Sequence, residues 1–289
     1  MIVGKIIGGL GNQMFQYAFY KYLSNLKFEE LQLDLSCFCS YSLHQGYELE
    51  KVFGINVNSS NAINIRKRKT NFPLLFNIEN RLLSKNYFFK SSHYKESRFF
   101  IDSMIFNDRE VDFYVEGYFQ NDKYISKIIK GDCSLFNFRT EMNSIEESLL
   151  SQESVAIHIR GGDYINNNKD KALFGEICNI AYYKKSIQTI QSLVKRPHFI
   201  VFSDDEEYAK NLLAENEFTL IDWNKGVNSY RDMFLMSQCK HNIIANSSSS
   251  WWGAYLNKNK NKIVIAPKKW FNDSRYNQSD IIPRRWIKN

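Results

Sequence analysis

Proline and glycine are scarce, 4 and 13 in 289 residues, while 44% of the chain is hydrophobic. That balance excludes collagen-like, low-complexity and disordered chains. Cysteine is also sparse. Cys37, Cys39, Cys133, Cys178 and Cys239 make an odd number with no Cys-x-x-Cys pair. A disulfide framework and a structural zinc are therefore not expected, and the thiols read as reduced, in a cytosolic protein. Cys37 and Cys39, two apart, would share one face of a strand. No apolar run reaches the roughly 18 residues of a membrane span. The start, MIVGKIIGGLGNQ, lacks a basic lead and a long apolar core, so no signal peptide is expected.

Asp-x-Asp is absent too, so a metal-chelating carboxylate pair has no carrier and no metal is expected. Gly-x-Ser-x-Gly, His-Glu-x-x-His and the Gly-Lys-Ser/Thr phosphate loop are missing as well. What is present is positive charge. Lys and Arg exceed Asp and Glu by 38 to 31, a net +7 that favours anionic partners. The run Arg66-Lys67-Arg68-Lys69 reads as a solvated loop, or as a peripheral contact with anionic lipid at about 1 kcal/mol per charge. No nucleic-acid-binding signature accompanies it.

The second half alternates strands and helices. Ser154–Arg160, His198–Ser203, Phe218–Asp222, His241–Asn246 and Lys262–Pro267 read as strands. Ala181–Val194, Glu206–Glu215, Ser229–Gln238 and Ser249–Asn257 read as helices between them, the first with Tyr183, Ile187, Ile190 and Val194 on one face. This is the α/β signature of a parallel sheet covered on both faces. The first half opens with a strand at Ile2–Ile7, a glycine turn and a helix at Asn12–Leu26 whose Met14, Phe15, Ala18, Tyr22 and Leu26 face inward. Strands follow at Leu31–Leu35 and Phe113–Tyr118, with helices at Leu74–Leu83 and Lys123–Ile129 and a polar loop at Asn58–Lys69. The expected domains are 1–145 and 146–289, with a tail from Trp270 that crosses back over the first.

In parallel sheets, ligands bind beyond the carboxyl ends of the strands. The polar clusters fall there. Gly8-Gly9-Leu10-Gly11-Asn12-Gln13 lets a ligand approach backbone and offers helix-end N–H groups to an anion. It also reads as an ordinary tight turn. In His158-Ile159-Arg160-Gly161-Gly162-Asp163, Arg160 suits a phosphate, or else an ion pair with an Asp that holds the loop. Ser203-Asp204-Asp205 offers a carboxylate to a ribose or guanine, or caps the next helix through Ser203 or Asp204. Asn246 with Ser247, Ser248, Ser249 and Ser250 precedes Trp251-Trp252 and suits a diphosphate at a helix start, the tryptophans being core or interface anchors.

Together GGLGNQMFQYA (8–18), HIRGGDY (158–164), FSDD (202–205) and NSSSSWWGA (246–254) resemble the alpha-1,2-fucosyltransferases of glycosyltransferase family 11, bacterial type. Leu33-Asp34 and Gly117-Tyr118-Phe119-Gln120 resemble further family segments. The family pattern more often carries a second Arg where this chain has Gly161. The resemblance implies two Rossmann-like domains facing a cleft, the GT-B architecture. It implies a metal-independent, inverting transfer of L-fucose from GDP-fucose, with no cofactor, to the 2-hydroxyl of a terminal galactose. The acceptor would be an O-antigen or other surface oligosaccharide, free or lipid-linked. The protein would be cytoplasmic, or peripheral on the inner membrane.

Carried over, Arg160 holds the β-phosphate, His158 supports the nucleotide, Asp204 reads guanine, and Asn246 with Ser247 to Ser250 cradles the diphosphate. Gly9, Gly11, Asn12, Gln13 and Gln120 line the cleft from the first domain. Asp34, Asp163 or the departing phosphate would take the acceptor proton, and Asp163 would otherwise orient Arg160. A transferase of different donor or linkage, and a non-catalytic glycan- or nucleotide-binding protein, remain the alternatives.

Overall fold

The computed structural model describes residues 1–39, 45–56, 93–101, 103–107, 113–131, 135–162, 164 and 167–289. The chain divides into two compact units, Met1–Asn137 and Phe138–Asn289.

The first unit carries a four-stranded parallel sheet in the order β2-β1-β4-β3, with β1 Ile2–Lys5, β2 Leu31–Asp34, β3 His93–Lys95 and β4 Phe113–Glu116. The Leu10–Lys27 helix joins β1 to β2. Its Met14, Phe15 and Ala18 are buried as expected, whereas Tyr22 is half-buried and Leu26 is 44% exposed. Strand β3 escapes apolar patterning because it is an edge strand with charged side chains. His93 and Lys95 lie against Glu116 of β4 at 3.7 and 2.9 Å, and Lys5 of β1 reaches the same carboxylate at 3.0 Å. His93 foremost, then Lys95 and Lys5, hold Glu116 well below the usual carboxylate range against its burial. The expected loop at 58–69, with its basic run, and the expected helix at 74–83 lie outside the described residues.

The second unit carries six parallel strands in the order β10-β9-β8-β5-β6-β7. These are β5 Ser154–Ile159, β6 His198–Ser203, β7 Thr219–Ile221, β8 His241–Ile243, β9 Val264–Ala266 and β10 Ile287–Lys288. All of β5 is buried, as a central strand covered on both faces must be. Its Val155, Ile157 and Ile159 pack on Tyr183, Ile187 and Ile190 of the Ile180–Leu193 helix. Each such side chain contributes about 1.5–3 kcal/mol by leaving water. Asn179 starts that helix by accepting from the Tyr182 N–H. Trp251 and Trp252 are fully buried, so both are core residues.

Three expectations change. The division falls at 137/138 rather than 145/146, because the Ser144–Leu150 helix is tied into the second unit by Arg231. The Arg231 guanidinium meets Glu146 at 2.6 Å and Thr140 at 2.6 Å. The tail stays on the second sheet: β10 pairs with β9, and Trp251 donates its indole N–H to the Ile281 carbonyl. Cys37 sits in a 3-10 turn, Ser36–Cys39, not on a strand. Among the described residues no helix is long and apolar enough to cross a membrane.

Glu146 has only 1% of its side chain exposed, so losing its cation leaves a buried charge uncompensated. Arg231→Ala should destabilise the second unit by about 3–5 kcal/mol. Arg231→Met combined with Glu146→Leu should recover most of that loss in urea unfolding. A double variant as weak as the single one would remove the pair from this role.

Candidate active site

Each sheet places later strands on both sides of its first strand. In the second, β6 and β7 lie to one side of β5 while β8, β9 and β10 lie to the other, so the switch point falls between β5 and β8. In the first, it falls between β1 and β4. Loops diverge at such a point and leave a crevice for a ligand.

The loop after β5 begins with Arg160. Its guanidinium meets the Asp204 carboxylate of the loop after β6 at 3.0 Å, and the Gly161 N–H donates to the same carboxylate at 2.9 Å. Glycine is required here. A Cβ on Gly162, at φ +27°, would collide with Asp204 Oδ2, and one on Gly161 would sit 2.8 Å from Asp205 Cβ. The second Arg of the family pattern therefore has no space on this backbone. Arg160 also lies over the Tyr164 ring at 5.6 Å. Tyr164 stacks on Phe174 and donates its hydroxyl to the Asn246 carbonyl at 3.1 Å, joining the β5 loop to the loop after β8. His158 is buried at the end of β5, and its Nδ1 has no hydrogen-bond partner among the described residues. Burial, reinforced by the Arg160 charge, pushes its pKa down to about 3.

The loop after β8 enters the Ser248–Leu256 helix. Ser247 stands at the cap position but its hydroxyl makes no capping bond, so the first-turn N–H groups are not covered by that side chain. Ser248 and Ser249 are half-buried. Asn246 and Ser250 face inward instead. Asn246 donates to the Phe174 and Trp270 carbonyls, and Ser250 bonds the Ala245 and Ser247 carbonyls. These two side chains build the loop, while Ser247 at the helix start is also buried.

In the first unit, Gly9 starts the Leu10–Lys27 helix without a side-chain cap. Asn12 accepts from Gln120 at 2.9 Å, a bond that spans the switch point from the β1 loop to the β4 loop. Gln13 is fully buried and spends its amide inside: it donates to the Gly8 and Gly46 carbonyls and accepts from the Glu48 N–H. It is a brace rather than a ligand contact. Gln16 acts the same way between Ile7 and Gly117. Asp34 ends β2, 2% exposed, with its carboxylate accepting from the Ser36 N–H and the Tyr114 hydroxyl. The other base candidate, Asp163, lies outside the described residues.

The helix cap expected from Ser203 or Asp204 is Asp205, which accepts from the Tyr208 N–H at 3.0 Å. That shift of one residue frees Asp204 to meet Arg160. Sequence reading passed over Glu96, which follows the polar edge strand, and Asp232, buried beside Asn224. Burial raises both carboxyls to about 7. Neither stands in a motif. A carboxylate just past the end of a strand is the signal that could have marked Glu96. A groove of about 750 Å³ lined by Tyr17, Lys21 and Phe28 opens beside Leu31, at the amino edge of the first sheet. None of the candidate residues lines it. Among the described residues no group of three His, Cys, Asp or Glu is placed to hold a metal.

The profile of the family described as Glycosyl transferase family 11 matches residues 3–289. The chain belongs to glycosyltransferase family 11. Among family relatives, an alpha-1,2-colitosyltransferase of Escherichia coli is 33% identical, covering 100% of this chain and 98% of its own. The O-antigen biosynthesis glycosyltransferase WbnK of Escherichia coli is also 33% identical, over 97% of each. The fold is similar to the crystal structure of NodZ alpha-1,6-fucosyltransferase co-crystallized with GDP. There the TM-score is 0.52 at 12% identity, covering 88% of this chain and 91% of that one.

The buried imidazole of this family 11 chain sets a pH dependence. Between pH 6.5 and about 3 the unfolded chain binds a proton at His158 that the folded chain refuses. Stability therefore falls as pH falls through that window, by at most about 1.4 kcal/mol per unit. His158→Gln does not titrate, so its urea midpoint should fall less than the wild type's from pH 6.5 to 4. Equal falls would show that His158 is not held neutral.

Proposed function

We propose that this glycosyltransferase moves L-fucose from GDP-fucose, with inversion, to the 2-hydroxyl of a terminal galactose in a surface oligosaccharide. The observation that carries the reading is the convergence of Arg160, Asp204 and the start of the Ser248–Leu256 helix at one switch point. As the bond from fucose C1 to phosphate oxygen breaks, negative charge grows on the β-phosphate and positive charge on the sugar. Arg160 and the first-turn N–H groups meet the phosphate charge without a metal. Ser247, Ser248 and Ser249 flank the diphosphate, and His158 contributes a neutral ring.

Arg160 and Asp204 are 3.0 Å apart, whereas the guanine edge and β-phosphate of one GDP are separated by a ribose and the α-phosphate. Both roles are filled only when the pair opens. Arg160 then turns to the β-phosphate and Asp204 accepts from guanine N1–H and N2–H. Asn12 and Gln120 are the first unit's proposed sugar contacts. Asp34, held by Ser36 and Tyr114, acts as a brace, which leaves Asp163 or the departing phosphate as proton acceptor.

The relative named as a colitosyltransferase favours a second reading in which the donor sugar is colitose, fucose without its 3-hydroxyl. Turnover of GDP-fucose against GDP-colitose separates the two. The relative named for O-antigen biosynthesis supports a surface-glycan acceptor.

Arg160→Lys keeps the charge and loses the planar fork, so turnover should drop about 10²–10³-fold. Near-normal turnover would remove Arg160 from the phosphate. Activity should also survive excess EDTA; loss that manganese or magnesium restores would reopen a metal-dependent reaction. In calorimetric titrations GDP should bind at least roughly tenfold more tightly than ADP or UDP, which lack the paired donors and leave a carboxylate unsatisfied. Asp204→Ala should erase most of that preference, and no longer disturbs a helix cap. Equal affinities in the wild type would overturn the guanine-nucleotide donor.

A further inference from the structure

Six non-glycine residues among those described have positive φ, and three of them, Arg98, Phe99 and Phe119, surround one patch at the carboxyl edge of the first sheet. Such backbone costs of order 1 kcal/mol or more per residue and concentrates at functional sites. Here it has a visible result. The turn at Ser97–Phe100 brings the Phe99 ring flat against Tyr118, with centroids 5.7 Å apart and planes 12° from parallel. Tyr118 is 36% exposed and Phe100 is 55% exposed, so aromatic surface is presented to solvent.

A carboxylate belongs to the same patch. Glu96 Oε2 accepts from the Tyr118 N–H at 2.6 Å and the Phe119 N–H at 3.0 Å, while Oε1 takes only a longer share of the Phe119 N–H at 3.2 Å. Oε1 keeps most of its accepting capacity. Gly117 precedes this segment because a Cβ there would collide with Glu96. One residue past Phe119 is Gln120, bonded to Asn12, so the patch is continuous with the first unit's part of the candidate site.

We propose that the Phe99–Tyr118 ring pair, with the Glu96 carboxylate beside it, is the subsite that binds the terminal pyranose of the acceptor glycan. This rests on the reading of the chain as a glycan-modifying transferase. A galactopyranose has one face of C–H bonds and an edge of hydroxyls. The flat aromatic surface takes the first by dispersion and apolar burial. Glu96 Oε1 accepts from the second, and burial around that carboxyl, which raises its pKa to about 7, strengthens the bond.

Saturation-transfer NMR would be run on the full chain with lactose, N-acetyllactosamine and galactosyl-β1,3-N-acetylgalactosamine as probes. At least one should show transfer to its galactose ring, reduced at least fivefold in Tyr118→Ala and retained in Tyr118→Trp. The acceptor KM of Tyr118→Ala should rise at least roughly tenfold, in line with truncation of an aromatic anchor. GDP affinity, measured by calorimetry, should match the wild type, and an unchanged urea unfolding transition shows that the first unit, which carries Tyr118, is folded in the variant. Unchanged transfer and KM in Tyr118→Ala with GDP affinity intact, or no transfer from any probe to the wild type, would overturn the subsite. Failure of the wild type to bind GDP would instead strike the donor assignment.

Discussion

The carboxyl edge of the second sheet depends on one carboxylate. Asp204 holds the Gly161 amide and the Arg160 guanidinium together, so the loops after β5 and β6 act as a single piece. The two glycines follow from that bond, since a side chain at either position would push the loops apart. Tyr164 extends the piece to the loop after β8 through the Asn246 carbonyl. A charge pair that is about one-third exposed adds little to stability. Its effect is on position: three loops from three strands share one geometry.

The first unit solves the same problem with neutral groups. Gln13 and Gln16 are fully buried amides, each using donor and acceptor to join backbone segments distant in sequence. A buried amide with its bonds made rigidifies a loop without adding a charge. The carboxylates near that edge are individually placed. Asp34 is braced by two donors, whereas Glu96 retains an oxygen with room to accept.

Strands buried on both faces were legible because apolar runs have a single reading in a parallel sheet, and β5, β6 and β8 lie where their sequences indicate. Edge strand β3 was not, since its stability comes from charges paired to Glu116 rather than from apolar burial. Polar motifs were legible as positions but not as roles. Asn246 and Ser247 are neighbours of like polarity, yet one turns inward to two carbonyls and the other stands at an uncapped helix start. Likewise Asp204 and Asp205 are chemically identical, and only backbone direction decides which caps a helix and which meets an arginine. Sequence spacing carries no record of that direction.

The strand order has a consequence for how the chain comes to be folded. Strand β1 pairs with β4 from Ile2 to Phe113, and β5 pairs with β8 from Val155 to His241. Each sheet thus completes both sides of its first strand only after a long stretch of intervening chain has been made. Pairings so distant in sequence close slowly, because loop entropy is lost before contacts compensate. During synthesis Ile2, Val3 and the apolar length of β5 present open edges that other chains can join. The winding that creates the two crevices is therefore also what leaves the nascent protein longest exposed to association with its own copies.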